Sequence, residues 1–561
     1  MLVRKRLDEG AGAHSRRMKL AVMALIALLI LGVRLYYNSG PLFGNLQDEG
    51  IYLNIISQSV VFHSQQSFTQ FRGLNFSDYL QPVFNPANVF KFYVGFLYPQ
   101  ELLGYAFGFS TGIAVYYVIF TSLVEGIAIM LIADYLAGLR AAAVSGVIFA
   151  FFPLDALFSS RVMPLVPTVA LLALAVLVFV RMDSAGSQRK RMLYALLTGA
   201  LTGFAYLTHP EGVILLFFLF LYCLVLLIAG FSLKSTKRTL LDLALIAAGF
   251  LLAYSTVGFY YLGSAGNFLL YPVADRDVFL YQAATQPLSN ITVMNGVTLT
   301  YTTGSPSAYI NLLFRTPGIA TSLYLIYGMF YFSILGYLAV VFSVLLIVLR
   351  AGKRRWFFIS MLVFYLLALS LMPTEIRSVN GGVNLLIVNS ADMYGEVLVL
   401  PTVIIVAMGL DRLLSSKKKA LWAVVIALLV ALIAVSILEM NGDAAFNRSS
   451  MSTVYSFIGF LQQHPNVTFY GQPQFIGDVN MLTGFKYDST VKPLFSCSND
   501  SIGALNGTYI AVGGTVSMEL SPGVMQDFDS CVMANMTDAT LAFNAPNPFS
   551  PSLPLEVFYK R

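Results

Sequence analysis

The chain has 561 residues, of which 57% are hydrophobic and 11% are charged. A soluble protein of this composition would expose too much apolar surface to stay in solution, so the soluble globular classes are excluded. The net charge of +6 comes with no basic patch interleaved with aromatic residues on a soluble face, so we expect no nucleic-acid partner.

Long apolar runs recur through the first 440 residues, and many approach the ~20 residues that a helix needs to cross hydrocarbon. They predict an all-α polytopic membrane bundle of about eleven transmembrane helices. The predicted spans are 19–37, 112–134, 141–158, 164–181, 192–208, 211–230, 240–262, 319–349, 356–372, 393–410 and 420–438. The ambiguous run 91–109 contains Lys91, Pro99, Gln100 and Glu101, and we interpret it as a helix lying along the interface rather than crossing the membrane.

An acidic pair, Asp48-Glu49, follows the first predicted span and is followed in turn by Tyr52. Carboxylates beside a bilayer are costly to keep both ionised and dry, so acids at a membrane edge are candidates for a functional site. The alternative is an ordinary solvated acid in a loop.

The basic residues predict the orientation of the bundle. Of the 34 Lys and Arg, 22 fall on one side of the eleven-span arrangement, and the positive-inside rule makes that side cytoplasmic. The N-terminus is then cytoplasmic and the C-terminus outside the cell membrane. Seven Asn-X-Ser/Thr sequons all lie on the predicted outer side, at Asn75, Asn290, Asn447, Asn466, Asn499, Asn506 and Asn535.

Few charged side chains lie on the predicted outer face of the bundle. A lone Lys or Arg at a helix end commonly extends to the lipid headgroups, but several together can bind a lipid phosphate. The cationic candidates for such a phosphate site are Arg34, Arg161, His209, Arg276 and Arg377. Two acids are close to them in the sequence, Glu211 beside His209 and Glu375 beside Arg377.

The chain divides into a bundle and a polar tail. Residues 1–440 form the predicted membrane domain, with outside loops at 38–111 and 263–318, and residues 441–561 are long enough for a small domain. In the tail, helical patterns at 454–461 and 475–485 alternate with strand patterns at 467–470, 508–512 and 539–543. This alternation predicts a small extracytoplasmic α/β domain.

The three cysteines separate by location. Cys223 lies in an apolar span and is most simply a buried thiol, whereas Cys497 and Cys531 both lie in the tail. We expect a disulfide between Cys497 and Cys531, with a shared metal site as the alternative that no Cys/His spacing supports. With four histidines in all, a His-based metal site is not expected, and the usual nucleotide-binding motifs are absent.

Several segments of residues 1–410 resemble the polyprenyl-phosphate-sugar-dependent membrane glycosyltransferases of the GT-C fold, which include the protein O-mannosyltransferases and the aminoarabinose lipid A transferases. The segments are Asp48-Glu49-Gly-Ile-Tyr52, Tyr98-Pro99, Gly138-Leu-Arg140, Ser159-Ser-Arg161, Leu207-Thr-His-Pro-Glu-Gly212, and Tyr394 with Leu398-Val-Leu-Pro401.

The chain also departs from the pattern of this family. Many relatives carry Asp where Leu165 stands, Lys where His209 stands and Arg where Met393 stands. The contacts to the donor phosphate therefore do not transfer residue by residue. The oligosaccharyltransferase branch carries a Trp-Trp-Asp motif, and the chain has only Trp356 and Trp422, so that branch is disfavoured.

The resemblance implies transfer of a sugar from a polyprenyl-phosphate donor to an acceptor outside the membrane, by single displacement with inversion. Asp48 would be the general base, and Glu49 would orient the acceptor or a cationic partner. Arg161, Arg276, Arg377 and His209 would hold the donor phosphate, and Tyr52, Glu211 and Glu375 would line the acceptor side. No cofactor is expected, although a divalent cation at the acidic pair stays open.

Two other functions compete with a transferase. A multi-pass transporter or flippase would use the same outer charges to bind an anionic or lipid-linked substrate, but the chain lacks paired interrupted helices in matching halves. A non-catalytic surface-assembly protein would use the bundle only as an anchor, for which eleven spans are excessive.

Overall fold

The computed structural model describes residues 2–38, 47–62, 93–182, 184–229, 233–265, 288–293, 297–303, 333–348, 353–371, 375–379, 382–387, 395–416, 418–484, 486–487, 489–494, 502, 504–513, 529–536, 538–547 and 554–561. Most of these residues are helical. The helices are α1 Leu2–Tyr37, α2 Gln47–Phe62, α3 Val94–Phe107, α4 Thr111–Ala137, α5 Leu139–Ala150, α6 Pro153–Phe158, α7 Leu165–Met182, α8 Gln188–Thr208, α9 Val213–Ala229, α10 Leu233–Ala265, α11 Ser333–Val348, α12 Lys353–Leu371, α13 Val399–Leu414, α14 Lys419–Gln463 and α15 Pro473–Leu482.

The bundle is that of a multi-pass membrane protein. Within the described residues, seven helices are long and apolar enough to cross a membrane: 17–37, 111–137, 165–182, 210–228, 236–258, 395–414 and 419–446. The other four predicted spans, 141–158, 192–208, 319–349 and 356–372, also overlap helices. Compared with those seven helices, α5, α11 and the apolar part of α12 are shorter, and α8 is more polar. The membrane-bundle prediction is confirmed, whereas the number of spans stays a prediction.

The third predicted span, 141–158, is wrong as a single helix. Helix α5 ends at Ala150, and Phe152 adopts an extended backbone directly before Pro153. Proline disfavours the helical region for the preceding residue, so the chain turns there and restarts as the short helix α6. This break positions Asp155 and, beyond the end of α6, Arg161.

Helices α8 and α10 pack closely through glycines. A Cβ atom on Gly199 would lie 1.9 Å from the carbonyl oxygen of Ile246, and one on Gly249 would lie 2.1 Å from that of Leu196. Gly199 and Gly203 form a Gly-x-x-x-Gly pair, the spacing that lets two membrane helices approach with their backbones in contact.

Helix α14 joins the bundle to the tail without a break. Its 45 residues correspond to about 68 Å of helix, about twice the hydrocarbon thickness of a bilayer. It therefore contains both the last predicted span and the helix predicted at 454–461. Phe457 on its tail half packs against Phe469 and Phe475 of the tail.

The tail contains a five-stranded mixed sheet in the order β6-β5-β7-β9-β8. The strands are β5 Phe469–Gly471, β6 Val491–Pro493, β7 Thr508–Val512, β8 Ala539–Ala545 and β9 Leu555–Lys560. Strands β5, β6 and β7 are parallel, and β9 runs antiparallel to β7 and β8. The predicted α/β tail is confirmed, and β6 and β9 are additions to it.

A second sheet joins two segments that are distant in sequence. Its order is β2-β1-β4-β3, formed by β1 Leu288–Val293, β2 Val297–Thr303, β3 Glu375–Val379 and β4 Gly382–Ile387. The pairing of β1 with β4 is parallel, which ties the segment between α10 and α11 to the segment that follows α12. None of the strands of this sheet was predicted from the sequence.

Candidate functional site

Glu49 lies in the first turn of α2 and is fully buried. Its Oε1 accepts a hydrogen bond from the backbone N–H of Val162 at 2.6 Å, and its Oε2 lies 3.6 Å from Nη1 of Arg161. A buried carboxylate is stable only when paired and hydrogen-bonded, and both requirements are met here. Glu49 therefore fixes the Arg161 segment against the start of α2.

The turn after α6 presents Arg161 and Val162 to this carboxylate. Ser159 N–H and Arg161 N–H donate to the carbonyls of Asp155 and Phe158, which tightens the end of the helix. The Ser160 hydroxyl donates to the Leu157 carbonyl at 2.8 Å. The Val162 N–H lies beyond the end of α6, and the Glu49 carboxylate is its acceptor.

Asp48 begins the same helical turn as Glu49, but its side chain lies outside the described residues. The backbone places it directly before the buried carboxylate. Its role as a base stays a prediction.

Tyr52 lies one helical turn after Glu49 and connects the acidic pair to His209. The Tyr52 ring meets the Tyr93 ring edge-on at 5.3 Å, and Tyr93 stacks on His209 at 5.5 Å. His209 Nδ1 lies 3.8 Å from Oε2 of Glu211, whose side chain is buried. The structure thus brings together three predicted site residues, with Tyr93 as an addition that sequence reasoning missed.

The start of α3 is held against this group by close packing. A Cβ atom on Gly95 would lie 2.6 Å from Oγ1 of Thr208, the last residue of α8. Only a residue without a side chain permits this approach. Tyr93, two residues before Gly95, is thereby placed over His209.

Four other predicted residues cannot be located as side chains. Arg276 and Cys497 lie outside the described residues. The backbones of Glu375 and Arg377 lie in β3, opposite Leu386 and Asn384, while their side chains are outside the described set. Cys531 is disulfide-bonded, and Cys223 is a buried thiol outside any disulfide.

Arg34 does not extend to the headgroups, as a helix-end arginine commonly does, because it is fully buried inside the bundle. Its Nη2 lies 2.6 Å from Oδ2 of Asp155, and its Nε donates to the same oxygen at 2.8 Å. Its other donors reach the carbonyls of Phe149 and Ala150 at 2.8 and 2.7 Å. Arg34 therefore neutralises one acid and also caps the C-terminal carbonyls of α5.

Two further carboxylates, Glu125 on α4 and Glu396 before α13, are fully buried near this ion pair. Among the described residues, none of their four carboxylate oxygens has a hydrogen-bond partner. Three acids thus surround one guanidinium. The sequence signal was present, since acids within apolar spans are rare and functional by default, but the sequence analysis did not single these out.

Asp443 on α14 is a second acid within electrostatic reach of Arg161. It lines a small cleft whose walls come from the end of α1, from α6 and from α14. The lining residues are Tyr37, Pro153, Ala156, Leu157, Ser160, Met440, Asp443 and Ala444. Helix α14, which continues into the tail, therefore also borders the Arg161 segment.

A metal site is not formed by the side chains that can be placed. Within the described part of the chain, no group of three or more His, Cys, Asp or Glu side chains is arranged to hold a metal ion. The divalent cation considered at the acidic pair stays open, because the Asp48 side chain is outside this set.

Comparison with known proteins gives a likeness in fold and none in sequence. No family model matches the chain, and no curated protein matches it. The crystal structure of ArnT from Cupriavidus metallidurans bound to undecaprenyl phosphate is similar with a TM-score of 0.51 and 13% identity, over 96% of this chain and 97% of that one.

The archaeal oligosaccharyltransferase of Archaeoglobus fulgidus, tethered with an acceptor peptide, is similar with a TM-score of 0.51 and 11% identity, over 97% of this chain and 74% of that one. The same organism's AglB, in complex with an inhibitory peptide and a dolichol-phosphate, gives a TM-score of 0.50 at 11% identity. The expected GT-C fold is confirmed. The fold does not separate the transferase branches, since the oligosaccharyltransferase that the sequence disfavoured matches as well as ArnT.

Proposed function

We propose that this multi-pass protein is a membrane glycosyltransferase that moves a sugar from a polyprenyl-phosphate donor to an acceptor outside the cytoplasmic membrane. The observation that carries the proposal is the buried Glu49–Arg161 contact beside Asp48, in a GT-C fold. Structures of that fold hold undecaprenyl phosphate in ArnT and dolichol-phosphate in AglB.

The reaction we propose is one displacement at the anomeric carbon. The acceptor oxygen forms a bond to that carbon, the bond from the carbon to the phosphate oxygen breaks, and the polyprenyl phosphate leaves with the bonding electron pair. Asp48 takes the proton of the acceptor hydroxyl, a role worth roughly 10²–10⁴-fold in rate. The configuration at the anomeric carbon inverts.

The cations have a separate task at the leaving phosphate. Arg161, with Arg276, Arg377 and His209, is proposed to stabilise the charge that develops there. Glu49 is assigned to holding Arg161 rather than to proton transfer, because its carboxylate is fully buried and already hydrogen-bonded to Val162. Tyr52, Glu211 and Glu375 are proposed for the acceptor side.

The orientation belongs to the same proposal. The acidic pair would face the outside, where nucleotide sugars are generally not available and an activated sugar is naturally lipid-borne. The N-terminus would then be cytoplasmic and the tail domain extracytoplasmic.

The test is an in vitro transfer assay with a panel of polyprenyl-phosphate sugars and envelope-derived protein, lipid and glycan acceptors. We expect the wild-type protein to release polyprenyl phosphate and glycosylate one acceptor class, and Asp48→Asn to lose at least 100-fold in rate, in keeping with the range for general-base catalysis. Asp538→Asn, at an exposed site in the tail, is the matched control. Full activity of a correctly folded Asp48→Asn protein would contradict the role of Asp48.

A flippase is the second candidate, and the buried acids Glu125 and Glu396 favour it, since intramembrane ionisable groups often mark transport paths. The two functions differ in products. A flippase moves an intact lipid-linked substrate across a vesicle membrane, whereas a transferase separates the sugar from its lipid phosphate.

A further inference from the structure

The tail sheet contains a crossover point of the kind that binds ligands in open α/β sheets. From β5 the chain passes through α15 to β6 on one side, and β7 then lies on the opposite side of β5. All three strands are parallel, so their carboxyl ends share one edge. When the connections that leave two neighbouring parallel strands run to opposite sides of those strands, the crevice between the carboxyl ends of the two strands is the usual ligand position. Here the two strands are β5 and β7.

Three residues meet at this point between β5 and β7. Gln472 directly follows β5, and Gly513 directly follows β7 with a φ of 75°. The Gln472 Nε2 donates to Oδ1 of Asp529 at 3.0 Å, and the backbone of Gly513 also hydrogen-bonds to that carboxylate. Asp529, in the short helix 529–534, therefore lies at the ends of both strands.

One oxygen of this carboxylate has no hydrogen-bond partner within the part of the chain that the structure describes. Asp529 is only 5% exposed, and its Oδ2 is buried without a hydrogen bond among the described residues. Leaving a buried acceptor unsatisfied is costly, whereas a bound hydroxyl group would satisfy it with a charge-assisted bond. The arrangement thus lacks a donor at the position where the topology predicts a ligand.

The charge of the site limits the class of ligand. A carboxylate repels phosphate and other anions, so the donor phosphate does not fit. A metal ion requires several oxygen or nitrogen ligands, and no such group exists within the described residues. A neutral molecule with adjacent hydroxyl groups fits, because a carboxylate and a carboxamide side by side accept and donate to such a pair.

We propose that the carboxyl ends of β5 and β7 form a sugar-binding site in which Asp529 and Gln472 hold adjacent hydroxyls of the acceptor. The assignment rests on the proposed transferase function and narrows it, since it makes the acceptor a glycan or a glycan-bearing molecule. The site is separate from the Asp48 region and is assigned to acceptor recognition alone.

The experiment is saturation-transfer NMR on the full-length protein in detergent with free mannose, galactose, glucose and N-acetylglucosamine as probes. We expect NMR saturation transfer to at least one sugar in the wild-type protein and in Asp538→Asn. Asp529→Asn should bind that sugar about tenfold more weakly, because a charge-assisted hydrogen bond is lost. Near-UV circular dichroism checks that the variants are folded.

Three results would overturn the site. They are no NMR saturation transfer to any of the four sugars, equal saturation transfer in folded Asp529→Asn, or binding of Ca²⁺ or Mg²⁺ at Asp529 in place of sugar. The sugar-transfer assay and the sugar-binding measurement, both made on the wild-type protein, separate the two proposals. Sugar binding by a wild-type protein with no detectable transferase activity would contradict the proposed function and leave the site intact. Transfer activity without sugar binding at Asp529 would do the reverse.

Discussion

Replacing Arg34 by methionine removes the only guanidinium that the described residues place in the buried acidic cluster of Glu125, Asp155 and Glu396. Arg34 and Asp155 are both fully buried, with their charged atoms 2.6 Å apart. Removing one partner of such a pair costs about 3–5 kcal/mol, because the other charge stays buried without compensation. The Phe149 and Ala150 carbonyls also lose their donor, at about 1–3 kcal/mol each.

The sum is at least about 5 kcal/mol, which is comparable to the entire stability of many proteins. We therefore expect Arg34→Met to lower the thermal midpoint in detergent by about 4 °C or more for a chain of 561 residues, or to prevent recovery of folded protein. We expect Asp155→Asn to reduce the stability less than Arg34→Met does. The side-chain oxygen of the asparagine still accepts a hydrogen bond from Ser122, and the Arg34 guanidinium still has Glu125 and Glu396 nearby.

The matched control is Lys19→Met in the same helix. Lys19 pairs with Asp134, but its side chain is 40% exposed, and such pairs contribute about 0–1 kcal/mol. Thermal unfolding followed by intrinsic fluorescence, with size-exclusion chromatography for recovery, measures all three variants. An Arg34→Met midpoint within about 1 °C of the wild type would refute the reasoning, since it would mean that the buried pair contributes no more than the exposed one.

Three further changes test other parts of the structure. Gly199→Leu should separate α8 from α10 and abolish recovery of monodisperse protein, because the Cβ of the new side chain alone would lie 1.9 Å from the Ile246 carbonyl oxygen. The control Leu197→Ala, at an exposed position on the same helix, should be tolerated. Glu49→Gln keeps the acceptor for Val162 but removes the charge opposite Arg161, and we expect at least about tenfold slower sugar transfer in a folded protein, so an unchanged rate would contradict its assignment to Arg161. Burial raises the pKa of Asp529 from 3.8 to about 6, so folding favours its protonated form. The stability of the protein should therefore fall as pH rises from about 4 to 6. Asp529→Asn should flatten the dependence of the melting temperature on pH over this interval, and an unchanged slope would exclude Asp529 as its source.

Glu101 offers a second check of the same linkage outside the predicted spans. Burial raises its pKa to about 7, and a hydrogen bond with Ser59 opposes that shift. Its contribution to stability should therefore be lost as pH rises from about 4.5 to 7, and Glu101→Gln should flatten the profile between about pH 6 and 7, above the interval assigned to Asp529. An identical pH profile for the variant would contradict the placement of Glu101 between α2 and α3.

Much of the fold follows from local patterns in the sequence. Each predicted span overlaps a helix, and the β7 strand matches the predicted residues 508–512, because apolar runs and alternating patterns depend on near neighbours alone. The break at Phe152-Pro153 was missed because the run 141–158 is apolar throughout, and hydropathy does not register the backbone restriction before proline.

The second sheet was missed for a different reason. Strands β1 and β4 are nearly one hundred residues apart in sequence, and their pairing is a long-range event that neither segment signals by itself. The paired strands also place Glu375 and Arg377 on a sheet rather than at a simple helix end.

Composition, the one-sided distribution of basic residues and the Asp48-Glu49 segment by themselves determined the membrane class, the orientation hypothesis and the first candidate acid. Only the tertiary structure decided which charges meet. Arg161 pairs with Glu49 from more than one hundred residues away, and Arg34 turns inward to Asp155 instead of outward to lipid. The physical reason is that a buried charge must find its partner inside the protein, and the partner is chosen by how the helices pack, which no local pattern encodes.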